Sequence, residues 1–175
     1  MITTIPDAYG YVLMVTSLLG LELLLIGFIF PGSKREKIFS KAFMDKNFLE
    51  EHREWTGETD IPKGGAPDMG SGRYAAKLNY KEWYEFNNAQ RAHYNFLEMA
   101  PSTFLWLLIA GIYYPVASAW LGLGVAVSRV IYSMGYASKG PKGRGLGAIS
   151  NDIFILGLFL LSMASGYKFA QGDLP

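Results

Sequence analysis

The run from Tyr9 to Phe30 reads Tyr-Gly-Tyr-Val-Leu-Met-Val-Thr-Ser-Leu-Leu-Gly-Leu-Glu-Leu-Leu-Leu-Ile-Gly-Phe-Ile-Phe, and Glu22 is its one charged side chain. About 20 consecutive apolar residues are what a helix needs to cross the hydrocarbon of a bilayer. The run is too long for the core of a signal peptide and no basic residue precedes it, which predicts a retained helix. Three more apolar runs follow at about Glu85–Tyr114, Val116–Tyr136 and Ala148–Phe169. Lipid offers no partner to backbone N–H and C=O groups, so spans of this length must be helices. The expectation is an all-α integral membrane four-helix bundle, with residues 1–175 forming a single domain.

Between spans one and two lies a polar insertion, about residues 31–84. Pro31-Gly32 is expected to stop the first helix. The stretch from about Arg35 to Trp55 reads as a surface helix with Phe39, Phe43, Phe48 and Leu49 on a partial apolar face. The remainder is Gly/Pro-rich coil. Aromatics mixed with charge suit a contact surface better than a spacer, so Phe39, Phe43, Phe48, Trp55 and Tyr74 are expected to anchor on other polypeptides.

The basic residues set an orientation. Lys34, Arg35, Lys37, Lys41, Lys46, Arg53, Lys63, Arg73, Lys77 and Lys81 fall in the first connection, and Lys139, Lys142 and Arg144 in the last. Basic loops stay on the cytosolic or matrix side, which puts both long connections there and both termini opposite. Small residues at Gly122, Gly124, Gly157, Ala164 and Gly166 are expected to let helices approach closely.

Composition narrows the chemistry. A formal net charge of +1 argues against nucleic acid as a partner. With no cysteine, any thiol must arrive with a substrate. His52 and His93 are far apart without neighbouring ligand pairs and do not read as a metal site.

Ionisable groups inside spans are costly and mark either function or a buried charge pair. In span two, Arg91, Asn95 and Glu98 are spaced by four and three, which stacks them on one helical face. In span three, Arg129, Tyr132 and Tyr136 do the same. Arginine and asparagine can bind carboxylates, glutamate can receive an ammonium, and tyrosine hydroxyls can close the cage. The bland alternative is an internal network of Arg91, Glu98 and Arg129 that only satisfies buried charge. Glu22 and Asp152 are read as structural hydrogen-bonding or charge partners.

The segment Gln-Arg-Ala-His-Tyr-Asn-Phe-Leu-Glu, then Gly-Ile-Tyr-Tyr-Pro, then Ser-Arg-Val-Ile-Tyr-Ser-Met-Gly-Tyr, resembles the MAPEG family of membrane proteins in eicosanoid and glutathione metabolism. It is most similar to the branch of microsomal glutathione S-transferase 3. The resemblance implies a homotrimer in the endoplasmic reticulum or mitochondrial membrane, with glutathione bound between subunits. It implies that Arg91, Asn95 and Glu98 hold the peptide, Tyr132 and Tyr136 lie beside it, Arg129 supports the site, and Arg144 activates the thiol. A guanidinium there would favour thiolate over a thiol whose free pKa is about 8.5.

The activity implied is that of a transferase or peroxidase acting on lipophilic electrophiles or lipid hydroperoxides that arrive through membrane lipid. Met99 stands where some members have tyrosine, Tyr94 where glutamine is common, and the insertion is far longer than the family's short loop. The second reading is a non-catalytic accessory subunit of a large complex, such as a mitochondrial respiratory assembly, gripping unrelated subunits through residues 31–84.

Overall fold

The structure, a computed structural model, describes residues 5–173. It is all-α, with no strand among those residues. The elements are α1 (Tyr9–Gly27), α2 (Ser33–Ile38), α3 (Lys41–Thr56), α4 (Tyr80–Tyr113), α5 (Pro115–Lys139) and α6 (Gly145–Ala170). Four helices are long and apolar enough to cross a membrane, and this is an integral membrane protein. α4, α5 and α6 pack against one another, and α1 lies against α4 and α5. Their shared core joins Val12 and Leu19 of α1, Phe96 and Leu107 of α4, Val125 of α5 and Leu158 of α6. Large apolar side chains such as Leu21, Leu24, Trp120, Ile153 and Leu160 point outward, as a lipid-facing surface requires.

The ends of the bundle are distinct. The turn after α5 lies against the start of α4, where Gly140 meets the Tyr84 hydroxyl and the Asn88 amide. Hence the insertion and the α5–α6 connection share one end. At the other end the Tyr9 hydroxyl donates to the Leu108 carbonyl, and the Tyr113 hydroxyl to that of Asp173. Gly122 and Gly124 are close-packed, on Val15 and Phe154 respectively, but a Cβ at Gly166 would meet open space, so it is not a packing glycine.

Pro31 does not end the first span. The helix widens into a π turn at Phe28–Gly32 and continues as α2. Proline lacks an N–H and its ring collides with the carbonyl one turn back, and the wider turn makes room for it. The surface helix is also divided. Phe39 and Ser40 leave the helical conformation, and Ser40 caps α3 by accepting from the Phe43 N–H at 3.4 Å. α4 starts at Tyr80, earlier than its apolar run, because Asn79 caps it through the Glu82 N–H at 3.0 Å.

The insertion's aromatics correct the sequence expectation. Phe39, Met44, Phe48, Ile61 and Ala75 form a small core that closes on Phe86 of α4, with Phe43 and Tyr74 packed on its edge. The Phe39 and Phe86 rings meet edge to face, centroids 5.3 Å apart. Burial of one such ring contributes about 1.5–3 kcal/mol. These side chains are satisfied within the chain, while Trp55 is 80% exposed.

The coil is pinned as well. Arg35 donates to the carbonyls of Gly64 at 2.8 Å and Asp68 at 2.6 Å. Asp68 accepts from the N–H groups of Gly70, Gly72 and Ala75. From α4, Asn87 and Gln90 reach the carbonyls of Gly70 and Met69 at 2.9 and 3.0 Å. Gly65 has φ +64° and sits so close to the Phe39 ring that a Cβ would lie 2.5 Å from it, which explains glycine there.

Candidate functional site

Asn95, Arg129, Tyr132, Tyr136 and Arg144 meet where α4, α5 and the start of α6 come together, and Arg91 and Glu98 flank Asn95 on α4, so the seven candidates divide into an outer and an inner group. The outer group is on α4. Arg91 Nη1 lies 3.1 Å from Glu98 Oε1 across two helical turns, with both side chains about half exposed. Exposed pairs of this kind contribute about 0–1 kcal/mol, so the pair opens cheaply.

The inner group is on α5. Arg129 is 1% exposed and packs its guanidinium over the rings of Phe96, at 4.7 Å, and Tyr132, at 4.5 Å. Tyr132 and Tyr136 are buried beside it with ring centroids 5.7 Å apart. Asn95 joins the two groups, since Arg129 Nη1 donates to Asn95 Oδ1 at 2.8 Å. The single network of Arg91, Glu98 and Arg129 therefore does not form. Arg91 pairs with Glu98, and Arg129 belongs to the interior.

Arg144 completes the constellation from the turn before α6. Its guanidinium lies 5.6 Å over the Tyr136 ring. Interaction with the Tyr132 hydroxyl, and then with Tyr136, raises its pKa above the ordinary arginine value, although no hydrogen bond of regular geometry joins Arg144 to Tyr132. Two backbone contacts fix this placement. A Cβ at Gly135 would lie 2.2 Å from the Gly143 carbonyl oxygen, and one at Gly147 would lie 2.3 Å from the Tyr132 nitrogen. Glycine lets the α6 turn rest directly on the α5 backbone, which carries Arg144 to the tyrosines.

Beyond Arg91, toward the insertion, a polar cleft of about 560 Å³ opens between α4 and α5, lined by Lys34, Lys81, Tyr84, Asn88 and Lys139 among others. Lys34 is tied to Glu85 at 2.6 Å. Asp152 is exposed and accepts a long hydrogen bond from the buried Asn151 amide at 3.5 Å.

A family model described as the MAPEG family matches residues 53–164, well over half of the chain. The chain belongs to the MAPEG family. The matched residues contain all of α4 and α5 and the turn that carries Arg144, and therefore every candidate site residue. The MAPEG match also runs through the second half of the insertion but leaves out α1. Glu22, on that unmatched helix, is a residue whose place the sequence left open. Both its carboxylate oxygens are buried without a protein hydrogen-bond partner among the described residues. The same holds for Arg129 Nε and Nη2. Glu22 and Arg129 each lie two helical turns beyond the contact of Val15 with Gly122, and no direct ion pair joins them.

Proposed function

We propose that this protein is a glutathione-dependent membrane transferase or peroxidase similar to microsomal glutathione S-transferase 3, acting as a homotrimer in the endoplasmic reticulum or mitochondrial membrane. The observation that supports the reading is the run of contacts from Asn95 through Arg129, Tyr132 and Tyr136 to Arg144, with the Arg91–Glu98 pair flanking Asn95 on α4. Those groups fit glutathione by chemistry. Guanidinium and amide suit its carboxylates, Glu98 suits its ammonium, and Arg144 suits a thiolate. Opening the weak Arg91–Glu98 pair frees opposite charges for the ends of a zwitterionic peptide.

In the reaction the thiol loses its proton, and the thiolate attacks an electrophilic carbon, forming C–S and expelling the leaving group with its electron pair. With a hydroperoxide the thiolate sulfur attacks the terminal oxygen, the O–O bond breaks to give a sulfenic acid and an alkoxide that takes up a proton, and a second glutathione thiolate attacks the oxidised sulfur, forming the disulfide and expelling water. Each unit by which the thiol pKa is lowered requires about 1.4 kcal/mol of preferential thiolate stabilisation.

The accessory-subunit reading loses its main support, because Phe39, Phe43, Phe48 and Tyr74 are packed inside the chain. Exposed Trp55 and Tyr80 are what it retains. The test is calorimetric titration of purified protein with glutathione, followed by conjugation of an aryl halide. Folded protein that binds nothing at millimolar glutathione ends the enzyme reading.

A further inference from the structure

We infer that Glu22 is a positioning residue for the peptide-binding face, acting through Arg129 on Asn95. The inference rests on the glutathione reading above, and it concerns a helix that supplies none of the seven candidate site residues. Glu22 stands in the middle of the apolar span α1, yet its two oxygens are turned away from lipid and buried. A carboxylate so placed is expensive unless a cation answers it. α1 and α5 pack side by side, run in the same direction and touch at Val15 and Gly122, so Arg129 stands two helical turns beyond that contact at the level of Glu22; its Nε and Nη2 are buried and unpartnered while Nη1 holds Asn95.

The groups are complementary. Glu22 has two unpartnered acceptor oxygens and Arg129 two unpartnered donor nitrogens, and bound water joins such groups when they stand beyond direct contact. The planar guanidinium is fixed on three sides, by Phe96 and Tyr132 against its faces and Asn95 at one nitrogen. Glu22 supplies the remaining, electrostatic side. Without it Arg129 loses an answering carboxylate, and its guanidinium shifts on the groups that it already touches, Asn95 and Tyr132. That shift moves the amide that the proposed site uses.

Glu22→Gln keeps the shape and removes the charge, whereas Glu22→Asp keeps the charge. Calorimetry should show glutathione affinity weakened about tenfold in Glu22→Gln, or about 1.4 kcal/mol, and kept within about threefold in Glu22→Asp. In an Asn95→Ala background Glu22→Gln should change affinity less than twofold, because the path through Asn95 is already cut.

A residue that merely glues α1 to the bundle would shift thermal stability and leave this coupling at zero. If Glu22→Gln fails to fold, the doubly neutral Glu22→Gln/Arg129→Gln protein should fold better. A double variant no better than the single overturns the inference. So does wild-type affinity in Glu22→Gln, or an equal loss in both backgrounds. Wild-type protein that binds no glutathione sinks the functional reading and this inference with it, whereas binding by wild type with no effect of Glu22 sinks the inference alone.

Discussion

Arg129 Nη1 donates to Asn95 Oδ1 at 2.8 Å, so the interior of α5 has already claimed the acceptor end of the Asn95 amide. What Asn95 retains for a ligand is its NH2 group, a donor. A carboxylate or peptide carbonyl is the kind of group that it can hold.

Asn95→Asp should therefore separate stability from binding. The new carboxylate strengthens the contact with Arg129 but has no donor, and it repels a ligand carboxylate. Thermal unfolding in detergent should be unchanged or higher, while glutathione affinity falls at least tenfold. Unchanged affinity would show that the Asn95 amide does not contact the peptide.

Arg91→Ala should do its damage in binding alone. The Arg91–Glu98 pair is half exposed and contributes about 1 kcal/mol or less to folding. A charge-assisted contact to the peptide is worth about 1.5–3 kcal/mol, which is more than tenfold in affinity. Calorimetry alongside thermal melts checks both numbers, and a large loss of stability would contradict the assignment.

Arg144→Ala should leave glutathione affinity nearly intact and raise the apparent pKa of the bound thiol. The expected signal is weaker thiolate absorbance at neutral pH. Lys142→Ala, two residues away, should change it much less, because Arg144 and not Lys142 stands over Tyr136. Equal effects would mean that the turn acts only as a diffuse positive field.

Asp68 gives the insertion an acid limit. Burial by itself would raise its pKa, but the N–H groups of Ala75, Gly70 and Gly72 outweigh that and hold the carboxyl below its ordinary value. A lowered folded pKa contributes stability that is present above about pH 4, the ordinary carboxylate value, and is lost as pH falls through the folded value. Hydrogen exchange at Gly70, Gly72 and Ala75 should accelerate in that acid window in wild type. Asp68→Asn should show fast exchange at neutral pH already, with a loss of about 1–3 kcal/mol in the local opening free energy. An identical acid profile in both proteins would refute the role.

The spans and the site junction were legible because both follow helical periodicity. Arg91, Asn95 and Glu98 share a face by arithmetic, as do Arg129, Tyr132 and Tyr136, and the contact that joins the two faces in the structure is that of Arg129 with Asn95. Boundaries were less legible. Pro31 reads as a stop, yet a π turn carries the helix past it, a backbone adjustment with no sequence period. The insertion's aromatics read as anchors for a partner because their own partner, Phe86, belongs to a helix far along the chain. Glu22 was visible as an oddity, but what it lies beside depends on how α1 packs, which spacing does not reveal.

The continuity of α1 through Phe28–Gly32 into α2 has a mechanical meaning. Arg35 fastens that same rod to the carbonyls of Gly64 and Asp68, and Asn87 and Gln90 fasten the loop to α4. The insertion is thus a bracket riveted across two beams rather than a flap on a hinge. Helix tilt changes with bilayer thickness, and any change in the angle between α1 and α4 would have to bend or break this bracket's fastenings.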